Sequence, residues 1–547
     1  MKVVNFSDYM SRLEDASLAM QEAVAALSAE GGRLVIEPGE YDFYPETACE
    51  RFYYVSNNDK SSKRIGMPFA GLHHVTVEGN GALFRFHGKM TPAVLDGCED
   101  VCLQNLTVDF DRPFYTEGVV EEAGDSEVLL RIDGERFPDY VRDGRLHFVG
   151  HGWDVTAIIN LTQYSAGTAN LVPDTADCFI DKYGYEAEET SAGQVRLRLR
   201  GRNFPYPIQT GTVLALLHAT RENPGFVGSE SRNLRFEQVT VHHCEGMAFV
   251  FQVCEDVALE RCRVIPSAGR LISAGADATH FVNCTGDIVL KDCIFESQCD
   301  DATNVHGIYT RVERVVDNRL YLRFMHGQQE GVPLYHAGDR LQLITCEDMM
   351  PYGQCRVVSS RLINGQTVCV EVDSLPEGLE PGHGVENIHR MPKTVTITGC
   401  VTGKNRARSF LISCRGKVRI ADNELHSNGA AIWISGDCNY WYESGPVDDV
   451  EICSNRIECL NDRQMGWGVA AVEVVPEIKR LTPYYHGRIA VNGNVFRMRG
   501  GPLVHASCVR SLEVQNNLLY RPDGVDAEIL TDTCQLCDQD NKVVAQL

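Results

Sequence analysis

"VRIADNEL" (Val418–Leu425), "VEICSNRI" (Val450–Ile457), "RIAVNGNVF" (Arg488–Phe496) and "LEVQNNLL" (Leu512–Leu519) are variations on one phrase. In each, an apolar anchor (Ile420, Ile452, Val491, Val514) is followed three residues on by asparagine (Asn423, Asn455, Asn494, Asn517). Five residues on comes a second apolar side chain (Leu425, Ile457, Phe496, Leu519). Earlier segments fit the template more loosely, with anchors at Val77, Leu103, Phe236, Leu259, Leu290 and Ile397. Successive anchors are 26, 133, 23, 31, 107, 23, 32, 39 and 23 residues apart.

A step of 23 that recurs between such anchors predicts an all-β chain folded as a right-handed parallel β-helix. Each coil then holds a few short strands and lies one inter-strand spacing, about 4.8 Å, above the last. Asparagine at the fixed bend tolerates left-handed backbone, and its amide can hydrogen-bond the same amide one coil along. A sandwich of antiparallel strands does not account for like residues recurring at a constant offset. The two large gaps read as insertions with "DG" and "NG" turns between strands, "RDGRLHFVG" (Arg142–Gly150) and "RLINGQTVCVEV" (Arg361–Val372). Each is expected to be a small antiparallel β-barrel. The expected organisation is 1–118 as N-terminal cap and first coils, 119–222 as the first barrel and 223–308 as the coils carrying the chemistry. Residues 309–392 follow as the second barrel and 393–547 as the C-terminal coils. An amphipathic helix within "ASLAMQEAVAALSAEGG" (Ala16–Gly32) is the expected cap, covering an otherwise open sheet edge.

The formal charge of −24, from 75 acidic against 51 basic residues, argues against nucleic acid or an anionic membrane as partner. No apolar run is long enough to span a bilayer, and the first 20 residues contain acids and no apolar core of a secretory signal. The 21 cysteines show no framework spacing. Together these point to reduced thiols in the cytoplasm, or to a secreted or periplasmic protein if a leader has been removed. Cys262, Cys293 and Cys400 take the asparagine position in their coils and are expected to be buried and inert. The lone CxxC at Cys534–Cys537 and "HHC" (His242–Cys244) carry no metal-site spacing.

Against this frame "QCDDATNVHG" (Gln298–Gly307) is out of place, because adjacent acids are poor strand material. Asp301 lies 11 residues beyond its anchor, the offset of Arg270 on the preceding coil and Arg408 on the following one. Stacking therefore predicts an Arg270–Asp301–Arg408 column, with Asp277 of "GADATH" (Gly275–His280) emerging nearby. Paired carboxylates on a rigid surface suit glycoside hydrolysis, one protonated to assist the leaving group and one ionised to activate water or attack. Asn304, His306 (as an orienter), and Trp441 and Glu443 of "NYWYESG" (Asn439–Gly445) are further candidates for contacting a sugar.

The segment Gly275–Gly307, with "NRARSFLIS" (Asn405–Ser413) and "ISGDCNYWYESGPVDDVEICSN" (Ile434–Asn455), closely resembles glycoside hydrolase family 110, the exo-α-1,3-galactosidases of blood-group-B-type and linear α-galactosyl glycans. The resemblance runs over most of the chain. It implies a β-helix with inserted barrels, release of terminal galactose with inversion, a galactose-terminated oligosaccharide as partner, no cofactor or metal, and a homodimer. The family's three catalytic aspartates match Asp277, Asp300 and Asp301. By analogy with polygalacturonases, Asp300 would be the general acid, with Asp277 and Asp301 orienting water. The competing expectations are another β-helical carbohydrate enzyme, of polygalacturonase or uronate-lyase type, and a non-catalytic glycan-binding β-helix.

Overall fold

The computed structural model describes residues 2–13, 15–27, 31–175, 177–180, 184–218, 220–460, 466–482, 484–522, 524–526 and 528–544. Its regular secondary structure is nearly all strand, and most strands pair in parallel with the equivalent strand of the next coil. The ten anchors stand in one column in chain order. Val77 is opposite Leu103, and the series continues through Phe236, Leu259, Leu290, Ile397, Ile420, Ile452 and Val491 to Val514. All ten are buried, which follows from their position: the inward side of each short strand packs into the apolar core enclosed by the coils. A second ladder stacks Val108, Val241, Val264, Phe295, Thr402, Leu425, Ile457, Phe496 and Leu519. A third runs Phe226, Phe249, Thr279, Thr303, Phe410, Ile432 and Val472.

The asparagine column forms a continuous ladder. Asn423 Nδ2 donates to Asn455 Oδ1 at 2.9 Å, Asn455 to Asn494 at 2.9 Å, Asn494 to Asn517 at 3.1 Å and Asn517 to Asn541 at 2.9 Å. Each amide also donates to an anchor carbonyl of the coil behind, as Asn455 does to Ile420 O at 2.9 Å. Where cysteine replaces asparagine, the thiol takes the same carbonyl: Cys262 Sγ contacts Phe236 O at 3.3 Å and Cys293 Sγ contacts Leu259 O at 3.4 Å. One detail of the expectation is corrected. The left-handed residue of the bend lies one position before the asparagine, at Asp422 (φ 58°), Ser454 (φ 56°), Gly493 (φ 66°) and Asn516 (φ 55°). The asparagine is there for its amide and not for its backbone.

At the N-terminal end Asp15 caps the helix Ala16–Ala26, accepting from the N–H groups of Ser17 (2.7 Å) and Leu18 (3.2 Å). The helix buries Ala19, Met20, Ala23 and Val24 in the main core, over the first rungs. Between Tyr115 and Leu217 a six-stranded antiparallel sheet and a three-stranded one interrupt the coils. The second interruption starts inside a strand. Thr303–Val316 leaves the third ladder and continues into an antiparallel ring through Arg319–Phe324, Thr367–Val372, Pro351–Asn364, Arg340–Ile344 and Gly384–Asn387, which pairs back onto Tyr309–Arg311. Among the described residues no helix is long and apolar enough to cross a membrane.

Candidate active site

The third ladder builds the site. Its strands alternate inward and outward side chains, so Thr279, Thr303, Phe410 and Ile432 face the core while His280, Asn304, Leu411 and Trp433 form an outward column in register. That column is one wall of a cavity of about 270 Å³. Just before these strands come the acids. Counting back from Thr279, Thr303 and Phe410 places Asp277, Asp301 and Arg408 in one column, tied by Ala278 N–H to Asp301 O (3.0 Å) and Ala302 N–H to Arg408 O (3.1 Å).

Oxygen atoms of Asp277, Asp300 and Asp301 come within 4.8 Å of one another. Their side chains are 4%, 15% and 2% exposed, so Asp300 is the one that meets solvent. Asp301 is gripped by Arg408: Nε donates to Oδ1 and Nη2 to Oδ2, both at 2.8 Å, and the Arg408 backbone N–H adds a third bond at 3.0 Å. Arg221 Nη2 donates to Asp300 Oδ2 at 2.5 Å. Asp277 Oδ2 lies 2.5 Å from His280 Nδ1, and its Oδ1 accepts from Asp301 N–H at 3.3 Å.

These surroundings push the acids apart. Burial, and then the charge of Asp300, raises Asp277 well above the usual carboxylate range. Burial also raises Asp301, to about 7, against the pull of Arg408. For Asp300 burial again works upward, but Arg221, Arg406 and Arg408 outweigh it and hold the group below its ordinary value. The cluster thus holds a neutral acid beside an ionised one, as acid–base chemistry requires.

Asn304 and Glu443 line the cavity as expected, with Asn304 Nδ2 donating to Glu443 Oε2 at 3.3 Å and Asn57 Nδ2 to Glu443 Oε1 at 2.9 Å. Trp441 lines it too, its backbone N–H held by the carboxylate of Asp437. Two expectations are corrected. Arg270 is turned away, bound to Asp109 Oδ1 (2.8 Å) and the Asp111 carbonyl (3.1 Å). The reason is that the coil between Leu259 and Leu290 carries its surplus residues in the turn before Asp277, so counting forward from the anchor falls short of the column. His306 does not line the cavity either. It lies behind His280, its ring fully buried, with Nε2 2.9 Å from His280 Nε2.

Arg221 was not legible from the register. By the count from the strands, the stacked neighbours of Asp300 are Ala276 and Ala407, so its cation has to come from a loop, here the return from the first insertion. Trp433 and Trp467 also line the cavity, putting three of the chain's four tryptophans there. Trp433 could have been found from its outward place in "AIWISG" (Ala431–Gly436). A larger cavity, about 410 Å³, opens beside Leu171, Lys404 and His426, but its acids Glu296, Glu424 and Glu458 are not buried.

Residues 116–214 match the family described as GLAA-B beta-barrel domain I, and residues 319–385 match GLAA-B beta-barrel domain II. An alpha-1,3-galactosidase B of Akkermansia muciniphila is 33% identical over 521 residues, covering 93% of this chain and 65% of the relative. The chain therefore spans just under two thirds of that relative's length. An alpha-1,3-galactosidase B of Bacteroides thetaiotaomicron is 30% identical, with 96% of this chain and 89% of the relative covered. An alpha-1,3-galactosidase A of Shewanella woodyi is 32% identical, covering 93% and 84%. With that identity sustained over nearly the whole chain and most of the latter two relatives, the protein belongs to the α-1,3-galactosidase A/B family, glycoside hydrolase family 110.

Proposed function

We propose that this protein is an exo-acting α-1,3-galactosidase that releases terminal galactose from neutral glycans, on a right-handed parallel β-helix whose coils carry the acids and whose two insertions brace the pocket walls. The observation that carries the reading is the convergence of Asp277, Asp300 and Asp301, oxygens within 4.8 Å of one another, in a cavity walled by tryptophan. The aromatic faces suit the apolar face of galactose, and the small cavity suits one terminal sugar rather than a chain.

In the inverting route, Asp300, the most open carboxyl, faces the glycosidic oxygen. The proton that the empty site keeps on Asp277 passes to Asp300 and from there to the leaving oxygen as the C1–O bond breaks. Water held by Asp277 and Asp301 attacks C1 and gives its proton to Asp277. Each turnover thereby ends with the protons where they began. Asp301 has both oxygens occupied by Arg408, which suits holding water better than attacking carbon. Retention is the second reading. It is favoured by the closeness of the acids, since oxygens no more than 4.8 Å apart leave less room for an intervening water than the roughly 6.5–9.5 Å of inverting pairs.

Proton NMR during hydrolysis of Gal-α-1,3-Gal and the B trisaccharide tests both. Initial β-galactose supports inversion, initial α-galactose establishes retention, and no release from either substrate refutes the galactosidase reading. Roles are separated with an aryl galactoside whose leaving group needs no proton. Asp300→Asn should lose at least about 100-fold on the disaccharide and much less on the aryl substrate, whereas Asp277→Asn and Asp301→Asn should lose both. The pattern with Asp277 and Asp300 exchanged would assign the donor to Asp277.

A further inference from the structure

Behind the acids runs a chain of hydrogen bonds whose proton count can be worked out from its far end. His306 Nδ1 lies 2.6 Å from the carbonyl oxygen of Gly307, which only accepts, so Nδ1 carries hydrogen. His306 Nε2 lies 2.9 Å from His280 Nε2, and two facing lone pairs at that distance would repel, so one hydrogen lies between them. His280 Nδ1 in turn lies 2.5 Å from Asp277 Oδ2, and that short contact also needs one hydrogen. The sum is one proton more than two neutral imidazoles and a carboxylate possess. It can reside on Asp277, His280 or His306, but the geometry requires it to be in the chain.

We propose that His280 and His306 are positioning residues that hold one acid proton at Asp277, ready for the catalytic cluster. This rests on the proposed hydrolase reading and extends it by naming what fixes the proton. The rings are 1% and 0% exposed and Asp277 is 4% exposed. Burial lowers both histidines to about 4, so neither keeps the proton when a carboxylate can take it. The charged groups facing the chain are Arg221 and Arg408 with Asp300 and Asp301 on the cavity side, and Glu443, whose Oε1 is 3.6 Å from His306 Nε2. His306 as Nδ1–H accepts from His280 as Nε2–H, which leaves His280 Nδ1 to accept from the Asp277 hydroxyl.

A metal ion between the two Nε2 atoms is the rival reading, with Glu443 as a third ligand. Metal–nitrogen bonds of about 2.0–2.1 Å at tetrahedral angles place two nitrogens about 3.4 Å apart. The 2.9 Å found here is the length of an N–H···N bond.

Two measurements test the proposal. In full-length protein with ¹⁵N-labelled histidine, two-bond ¹⁵N–¹H correlation should show His306 as the Nδ1–H tautomer and His280 as the Nε2–H tautomer. Both should be neutral at pH 7 and unchanged by EDTA. A cationic ring, the Nδ1–H tautomer at His280, or one equivalent of bound metal would overturn it. In the second, His306→Leu removes the acceptor, so His280 turns its hydrogen to Nδ1 and Asp277 becomes an ionised acceptor. The kcat should fall at least about 10-fold with little change in KM, and the alkaline limb of kcat/KM should move at least about one pH unit lower. His306→Gln, whose Oε1 can accept, should restore most of both. A His306→Leu profile that is only scaled down, or a Gln variant no better than Leu at equal melting temperature, would overturn it. Failure of the wild-type protein to release galactose would sink the hydrolase reading alone, and the tautomers would still decide this one.

Discussion

Arg221 and Arg408 both neutralise an aspartate, yet they do different things. Arg408 meets Asp301 with a bidentate fork, while Arg221 reaches Asp300 through one nitrogen from a loop. Asp300 and Arg221 are 15% and 23% exposed, so their attraction is partly screened and contributes less to folding than a buried pair would. Its weight falls on protonation. Of the cations holding Asp300 low, Arg221 contributes most, and without it the three acids, which titrate as a set, bind a second proton at higher pH. Arg221→Ala is therefore expected to move the acid limb of kcat/KM to higher pH and to lower the plateau about 100-fold, with only a small change in melting temperature. An acid limb that stays in place would remove Arg221 from the control of the acids. Nothing local in "ATRENPG" (Ala219–Gly225) advertises this role, because the contact joins the loop returning from the first insertion to a turn 79 residues further along the coils. Asp301 and Arg408 were legible for the opposite reason, since stacked anchors convert a constant sequence offset into proximity, whereas Asp277 and Asp300 entered the site through the family resemblance. The same register failed for Arg270, where an anchor was followed through a turn of unequal length; counting back from the strand after the turn gives the observed column.

At the level of the element, the asparagine ladder ties coil to coil through side-chain amides, and Asn455 is its second rung. Fully buried, it accepts from the backbone N–H (3.0 Å) and side chain (2.9 Å) of Asn423, and donates to Ile420 O and Asn494 Oδ1, both at 2.9 Å. Alanine here would strand a buried N–H and a buried carbonyl, each costing about 1–3 kcal/mol. Asn455→Ala should lower the melting temperature by several degrees and the urea midpoint clearly, while kcat at low temperature stays within about two-fold. A normal midpoint with impaired turnover would mean that the column serves the pocket. The first half of the stack does without this ladder. At Cys262 and Cys293 the thiol reaches the same carbonyl but does not link side chain to side chain with the strength of amides, and thiols here are buried with no apparent chemistry. The alternation within the third ladder was equally open to reading, since period-two strands fix which side chains face outward. What could not be read is which outward column would be roofed by other segments and so become a cavity.

For the molecule as a whole, the two insertions brace the pocket from behind: among the described residues, none of 115–217 or 309–387 lines the cavity. From the first comes Asp177, which pairs with Arg406; that guanidinium lies 4.9 Å from the ring centroid of Trp467, a cavity wall. From the second comes His326, whose ring centroid is 4.2 Å from that of Trp441, while Ile344 and Met349 pack beside Cys438 and Tyr442 of the loop that carries Trp441 and Glu443. The insertions therefore position aromatic surface, which binds substrate and transition state alike, and leave the acid–base groups to the coils. This division predicts how variants should sort. Removing uniform binding raises KM and spares kcat. His326→Ala, which removes the ring packed on Trp441, and Asp177→Asn, which weakens the hold on Arg406 beside Trp467, should each raise KM about 10-fold and leave kcat within about three-fold. Substitutions at Asp277, Asp300 or Asp301 should show the reverse. The same aromatic, uncharged mode of recognition makes kcat/KM on a neutral disaccharide nearly independent of added salt despite the net charge of −24, because screening acts on charge–charge attraction. A kcat effect from His326→Ala as large as that of an aspartate variant would show that the second insertion shapes the reacting geometry itself, and the division between wall and chemistry would have to be abandoned.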